Sequence, residues 1–234
     1  MDSLESWVHR ASIQISDRRL IQRALTHRSY LNENPDALED NERLEFLGDA
    51  ALDFLTAAWL YRRFPEMDEG QLTRLRSALV RTEQLAAFAQ DIELGEVMLL
   101  GRGEDLTGGR QRPALLCATF EALVGAIYLD GGMPAVEAYM QPRLMAAVAR
   151  ILEDENLFDA RSLLQIWAQS EVGETPSYRT LQSSGPDHAR QFVVEVIVGD
   201  RVRAEGTGNS KQEAAQQAAG EALDQVGWPD PSAG

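Results

Sequence analysis

Glu42, Glu45 and Asp49 stand close together on a stretch, Asn41-Glu42-Arg43-Leu44-Glu45-Phe46-Leu47-Gly48-Asp49-Ala50, whose other residues have the makeup of a buried helix. At the spacing i, i+3, i+7 the three carboxylates share one helical face, with Glu45 and Asp49 a single turn apart. Like charges at that distance repel, and a cation that neutralises them removes the cost; hard divalent ions such as Mg²⁺ take oxygen ligands of this kind. An acidic helix face is ordinarily just solvated. Here Leu44, Phe46, Leu47, Ala50, Ala51, Leu52, Phe54 and Leu55 leave little of the helix free to face water, so the pattern points to a metal site.

The segment that carries these carboxylates belongs to a long helical region. Apolar positions recur at three and four residues through AWLYRRF, LTRLRSALV, LAAFAQDIEL and LLCATFEALVGAIYL, and no alternating strand pattern occurs before residue 153. Breaks are expected at Asn32 to Asp36, at Phe64-Pro65, at the glycine-rich Gly101 to Gly109 and at Asp130-Gly131-Gly132. Pro113 and Pro134 sit where a first helical turn tolerates proline. The expectation is an all-α domain over residues 1–152, then a short polar linker at 153–160. Residues 161–227 change to helix, three strands, helix: helical spacing over 161–171, strands at Tyr178 to Leu181, Gln191 to Val198 and Arg201 to Gly206, and an alanine-rich helix capped by Ser210. Residues 228–234 read as a C-terminal tail. The fold class is thus an all-α N-terminal domain followed by a small α+β (α-β-β-β-α) domain.

The decapeptide NERLEFLGDA resembles the signature of ribonuclease III, the endonucleases that cut double-stranded RNA. FPEMDEGQLTRLRSALVRTEQLA at 64–86 and ATFEALVGAIYLDGG at 118–132 resemble further motifs of that family, in its order and rough spacing. PSYRTLQSSGPDHARQFVVEVIV followed by GTGNSKQEAAQQAA is similar to a double-stranded-RNA-binding domain. The resemblance implies a homodimeric, Mg²⁺-dependent endoribonuclease, with Mn²⁺ as a substitute ion. It further implies hydrolysis of duplex RNA to 5′-phosphate and 3′-hydroxyl ends in the processing of ribosomal and messenger precursors.

Carried over residue by residue, Glu45, Asp49 and Glu121 match three positions of the family's metal-binding and catalytic quartet, Asp49 and Glu121 carrying the most weight. Glu121 also stands out on its own surroundings, because Phe120, Leu123, Val124 and Ile127 make a lone carboxylate costly without a cation. The fourth family position, an Asp three residues before the Glu, is Ala118 here. Neither neighbour is an obvious replacement: Cys117 and Thr119 lie about 100° to either side on a helix, and a thiol is a poor ligand for Mg²⁺. Three outcomes are open. Water fills the vacant coordination position and activity is reduced; a nearby carboxylate such as Glu42 or Glu69 substitutes; or the chain binds RNA without cutting it. Glu69 matches an acidic family position and equally suits the start of the next helix, where acidic residues are favoured. Phe46 matches an aromatic that enters a socket on a second subunit.

In the second domain the resemblance and the physics of RNA coincide. Duplex RNA is read by shape, through 2′-hydroxyls in the minor groove and phosphates across the major groove. Gln165 matches a minor-groove contact, Gly185-Pro186-Asp187-His188 forms a loop between strands, and Ser210-Lys211-Gln212 opens a helix whose amides favour phosphate. The module departs from its relatives at Ile166, where an acidic residue is usual, and in having Lys211 as the chain's only lysine.

The formal charge of −15 opposes nucleic-acid binding at first sight. Binding depends on where charge sits, and a nuclease must gather carboxylates. Residues 161–225 nonetheless hold more acidic than basic side chains, which predicts weak, salt-sensitive binding. One cysteine, Cys117, excludes an internal disulfide and reads as a core residue. The start MDSLESWVHR has no apolar run and no window is expected to span a membrane, which predicts a cytoplasmic protein.

Overall fold

The Asn41 side chain explains where the signature helix begins. It is buried and donates from Nδ2 to the Ala24 carbonyl at 3.2 Å, while its backbone N–H donates to Thr26 O at 2.9 Å. Its own carbonyl accepts from Glu45 N, closing the first turn. The computed structural model describes residues 4–37, 39–65, 67–154, 160–186 and 190–227. They divide into two compact units: Met1–Arg62 with Glu69–Val148, and Arg63–Asp68 with Ala149–Gly234.

The first unit is helical: α1 (Leu4–Arg10), α2 (Arg18–Leu25), α3 (Arg28–Leu31), α4 (Glu42–Arg63), α5 (Glu69–Val80), α6 (Thr82–Asp91), α7 (Leu94–Val97), α8 (Arg102–Leu106) and the start of α9 (Pro113–Asp154). Asp17 caps α2 by accepting from Arg19 N. A single parallel bridge, Thr26 to Leu99, ties the end of α2 to the segment after α7. The glycine-rich stretch expected to be a break instead contains α8 and a 3₁₀ turn at Gly109–Gln111. Arg110 organises it, donating to Asp105 and to the carbonyls of Gly95 and Met98.

α9 reaches Asp154, just past the expected linker start at 153, and is two helices joined at a kink where the break at Asp130-Gly131-Gly132 is expected. Gly132, at φ 68° and ψ −169°, breaks its regularity, and Pro134 follows where a fresh first turn needs no N–H. Residues Pro113–Ile151 are long and apolar enough to cross a membrane by length and composition, which corrects the expectation that no window is. In this fold that apolarity serves the core: Phe120, Leu123, Val124, Ala126 and Ile127 are buried on it.

α4 and α9 meet backbone to backbone. A Cβ on Gly48 would lie 1.8 Å from the carbonyl oxygen of Glu121, and one on Gly125 would lie 2.2 Å from that of Leu44. The two glycines therefore face each other's helices, each one turn from the residue on its own helix that the other glycine touches, and only hydrogen side chains let the axes come so close. Leu44, Ala24, Ala122 and Ala126 fill the space beside the crossing.

The second unit holds α10 (Ala160–Trp167), a π-helical turn at Ala168–Val172, and the antiparallel sheet β1 (Ser177–Ser184), β2 (Gln191–Val198), β3 (Val202–Gly208), followed by α11 (Lys211–Gln225). The register slips between Thr180 and Gln182, leaving Leu181 as the extra, exposed residue of a bulge in β1. Val194, Val196 and Val198 alternate onto the helical face, as expected of β2. On the other face Glu195 is buried between Arg179, at 2.5 Å, and Arg203, at 3.6 Å, one partner from each neighbouring strand. α11 packs on β3 through Ala214, Ala218 and the glycines opposite; a Cβ on Gly206 would meet Ala218 N at 2.1 Å.

Substituting Gly125→Ala is expected to lower stability by about 3 kcal/mol, the upper range for overpacking a rigid site. Gly103→Ala, where nothing lies within 4 Å of an added Cβ, serves as the control. Thermal unfolding of both variants checks this; equal melting temperatures would refute the close crossing.

Candidate active site and nucleic-acid interface

The glycine crossing determines which carboxylates meet. Leu44 and Gly48 of α4 contact the backbone of Gly125 and Glu121 on α9, so the residues next along α4, Glu45 and Asp49, come to the Glu121 side chain. The three expected ligands are thus brought into one electrostatic group. Burial first, then the charge of Asp49 and less strongly that of Glu45, push the Glu121 carboxyl up to about 7 against the lowering effect of a hydrogen bond from Cys117. Glu45 is also raised, by burial first and then by Glu42 and Asp49. No basic side chain is among the groups that shift either residue.

Glu42 lies beside this group but is paired with Arg28 at 3.1 Å. Glu69 begins α5, where its charge suits the positive end of the helix, and its carboxylate accepts from Thr73 at 3.5 Å. It is not among the groups that perturb Glu45 or Glu121.

Cys117, expected to be an inert core residue, touches the site. Its Sγ donates to Glu121 Oε1 at 3.5 Å, and the Thr82 side chain lies close to the same thiol. Burial, with Glu121 next, pushes the thiol up to about 12, so it is a neutral donor. Helical spacing held the signal, since Cys117 and Glu121 are four residues apart on one face.

A cation fits the chemistry of this donor set. The donors are hard oxygens, their mutual repulsion is uncompensated by protein charge, and Mg²⁺ keeps several of its waters. Among the described residues no three acidic, histidine or cysteine side chains stand close enough to enclose an ion, so any bound ion retains much of its hydration.

Beside the carboxylates, α4 presents an apolar stripe. Phe46 is 79% exposed, so it is not an intramolecular core residue, and Phe54 and Tyr61 continue the same exposed face. A groove of about 480 Å³ lined by Leu47, Ala50, Ala51, Phe54, Tyr128, Gly132 and Met133 lies alongside.

In the second unit the expected RNA contacts fare unevenly. Lys211 and Gln212 are exposed at the start of α11, and Ser210 caps it by accepting from Glu213 N at 3.1 Å. Gly185, at φ 96°, and Pro186 are exposed after β1, whereas His188 lies outside the described residues. Gln165, expected on an RNA-facing surface, is only 5% exposed. Ser162, Leu164, Ile166 and Trp167 of α10 are buried as well. Gln216 and Gln217 are engaged internally: Gln216 accepts from Arg161 N at 3.2 Å and Gln217 from Thr207 N at 2.7 Å.

Comparison with known proteins places these features. A family model described as Ribonuclease-III-like matches residues 17–148, and one described as Double-stranded RNA binding motif matches residues 160–226. A protein named Ribonuclease 3 from Roseiflexus is 46% identical over 95% of each chain. The crystal structure of the nuclease domain of ribonuclease III from Campylobacter jejuni covers 62% of this chain and 96% of its own, at 33% identity and a TM-score of 0.57. A second structure of that domain, at 32% identity and the same TM-score over 62% of this chain and 98% of its own, is described as showing structural flexibility in a region involved in dimer formation.

The raised Glu121 carboxyl has a pH signature. Its folded value lies above its unfolded one, so the protonated form is favoured in the metal-free fold; that stabilisation is complete below about 4.5 and is lost as pH rises through about 7. In a chelator, the melting temperature is expected to fall between pH 5 and pH 8, and Glu121→Gln is expected to flatten that fall. Parallel pH profiles for the two proteins would contradict the site's electrostatics.

Proposed function

The chain belongs to the ribonuclease III family, and from that membership we propose that it hydrolyses phosphodiester bonds in both strands of duplex RNA with Mg²⁺. The products would carry 5′-phosphate and 3′-hydroxyl ends, and the substrates are ribosomal and messenger RNA precursors in the cytoplasm. The type of enzyme, an endoribonuclease with a double-stranded-RNA-binding domain, follows from the family. The observation that carries the reading of the site is the carboxyl of Glu121, pushed up to about 7 by burial and by Asp49 with no protein cation to offset it.

Glu45, Asp49 and Glu121 hold the ion in this reading. When bound, Mg²⁺ supplies charge neutralisation at the scissile phosphate and a more acidic water. The protein's part is to fix two acidic residues of α4 against one of α9 on a rigid crossing, and to keep that geometry without a ligand at Ala118. Of the three outcomes opened by Ala118, water in the vacant position fits best: Glu42 is committed to Arg28, and Glu69 is not coupled to the cluster.

Two copies are proposed to associate through α4, each inserting Phe46 into the other's groove beside Phe54. A two-fold arrangement suits a surface that carries knob and groove together, and it gives one cleavage centre for each strand. Lys211 and Gln212, with the amides that open α11, would meet phosphate, while Gly185 and Pro186 would approach the duplex from the strand loop.

Cleavage of an end-labelled RNA duplex in a Mg²⁺ series tests the catalytic reading. Glu121→Gln is expected to abolish cleavage, and Ala118→Asp to strengthen it at low Mg²⁺; duplex binding without cleavage at any metal concentration would reduce the chain to an RNA-binding protein on a nuclease fold. For the association, Phe46→Asp is expected to convert a dimer to a monomer in light scattering coupled to size exclusion. A dimer that survives this change would place the interface elsewhere.

A further inference from the structure

The family resemblance leaves Cys117 without a role, yet its thiol is aimed at the centre of the acidic group. Sγ donates to Glu121 Oε1 at 3.5 Å, an ordinary length for a sulfur donor, and among the described residues this is the hydrogen bond that the Glu121 side chain makes. The thiol does not act from a freely turning side chain. Cys117 is buried, one turn before Glu121 on α9, and the side chain of Thr82, the first residue of α6, lies close enough to its sulfur to favour the thiolate. A second helix therefore flanks the sulfur that holds the carboxylate. The next residue on α9 is Ala118, whose methyl group can neither coordinate nor hydrogen-bond.

We infer that Cys117 is a positioning residue for the nuclease reaction: through the chain Thr82, Cys117, Glu121 it holds the Glu121 carboxylate in the orientation that presents it to the cation. The inference rests on the proposed metal site and deepens it. A carboxylate on a side chain with three rotatable bonds loses rotamer freedom when it takes a ligand, and a hydrogen bond that preselects one orientation reduces that loss. The thiol does not bind the ion. Its bond occupies one carboxylate oxygen and leaves the other for the cation, so the role is filled by any donor of similar size at position 117.

That last property separates positioning from packing. Mn²⁺ binding to the full chain without RNA, followed by electron paramagnetic resonance of the free ion, is measured for the native protein and for Cys117→Ala, Cys117→Ser, Thr82→Val and Glu121→Gln. Cys117→Ala is expected to weaken Mn²⁺ binding about fivefold, the worth of one neutral hydrogen bond. Cys117→Ser is expected to restore it to within about twofold, and Thr82→Val to weaken it by less than Cys117→Ala does. Single-turnover cleavage by the Cys117 and Thr82 variants is expected to show a shifted metal requirement with the rate at saturating metal retained, whereas Glu121→Gln is expected to abolish cleavage. Unchanged Mn²⁺ affinity in Cys117→Ala, equal impairment of the alanine and serine variants, or no Mn²⁺ binding by the native chain would each overturn the inference. A native chain that binds Mn²⁺ with this pattern yet leaves duplex RNA intact would uphold the positioning role and remove the proposed activity.

Discussion

The approach of α4 to α9 at Gly48 and Gly125 is the constraint on which the candidate site depends. Helices packed through ordinary side chains lie about 8–10 Å apart. Here the carbonyl of Glu121 occupies the place of a Cβ on Gly48, and that of Leu44 the place of one on Gly125. Such contact removes side-chain freedom from the interface and makes the relative position of the two helices nearly a matter of backbone sterics. Glu45 and Asp49 follow directly after the touching residues of α4, and Glu121 supplies the touching carbonyl on α9. The carboxylates come within electrostatic reach of one another because the backbones touch, and their repulsion is held against the packing of Leu44, Ala122 and Ala126.

The same device recurs in the second unit. Gly206 and Gly208 of β3 let the alanine-rich face of α11 lie on the strand, with backbone atoms filling the space a Cβ would take. Alanine costs little entropy to bury and gives little area, so this small core relies on close contact rather than bulk. The helix so placed points its first turn, with Ser210, Lys211 and Gln212, outward. Glu213 sits in that turn as well, accepting from Asn209 N at 2.8 Å, so part of the dipole available to an anion is already answered by a carboxylate.

Much of this was legible in the sequence, for reasons particular to each element. The three carboxylates were conspicuous because charge interrupted an apolar helical pattern, and β2 because its valines alternate strictly. Phe46 was legible only through resemblance; nothing in periodicity tells an exposed aromatic from a buried one. The break at Asp130-Gly131-Gly132 was legible because it carries local stop signals: Gly132 takes a non-helical conformation and Pro134 opens a fresh turn, so α9 is two helices meeting at a kink. Gln165 reads as surface because it is a polar residue on an amphipathic pattern, whereas its side chain is buried, a tertiary fact with no local signature. Gln216 and Gln217 likewise find partners on β3 and at the start of α10, which spacing along α11 could not reveal.

Ala118 acquires a different meaning once the electrostatics are set beside it. Glu121 already feels the charges of Asp49 and Glu45, and burial together with both holds its proton up to about 7. A fourth carboxylate one turn away on α9 would raise that value further, because each added like charge disfavours ionisation. It would also add a ligand, so the two effects oppose each other: four carboxylates bind a cation more tightly once ionised, and three surrender their protons to it more easily. A site that must exchange protons for a metal near neutral pH is therefore not simply weakened by the loss of one acid. Three carboxylates are easier to ionise together than four, and the hydrogen bond from Cys117 acts on the one whose carboxyl is pushed up to about 7.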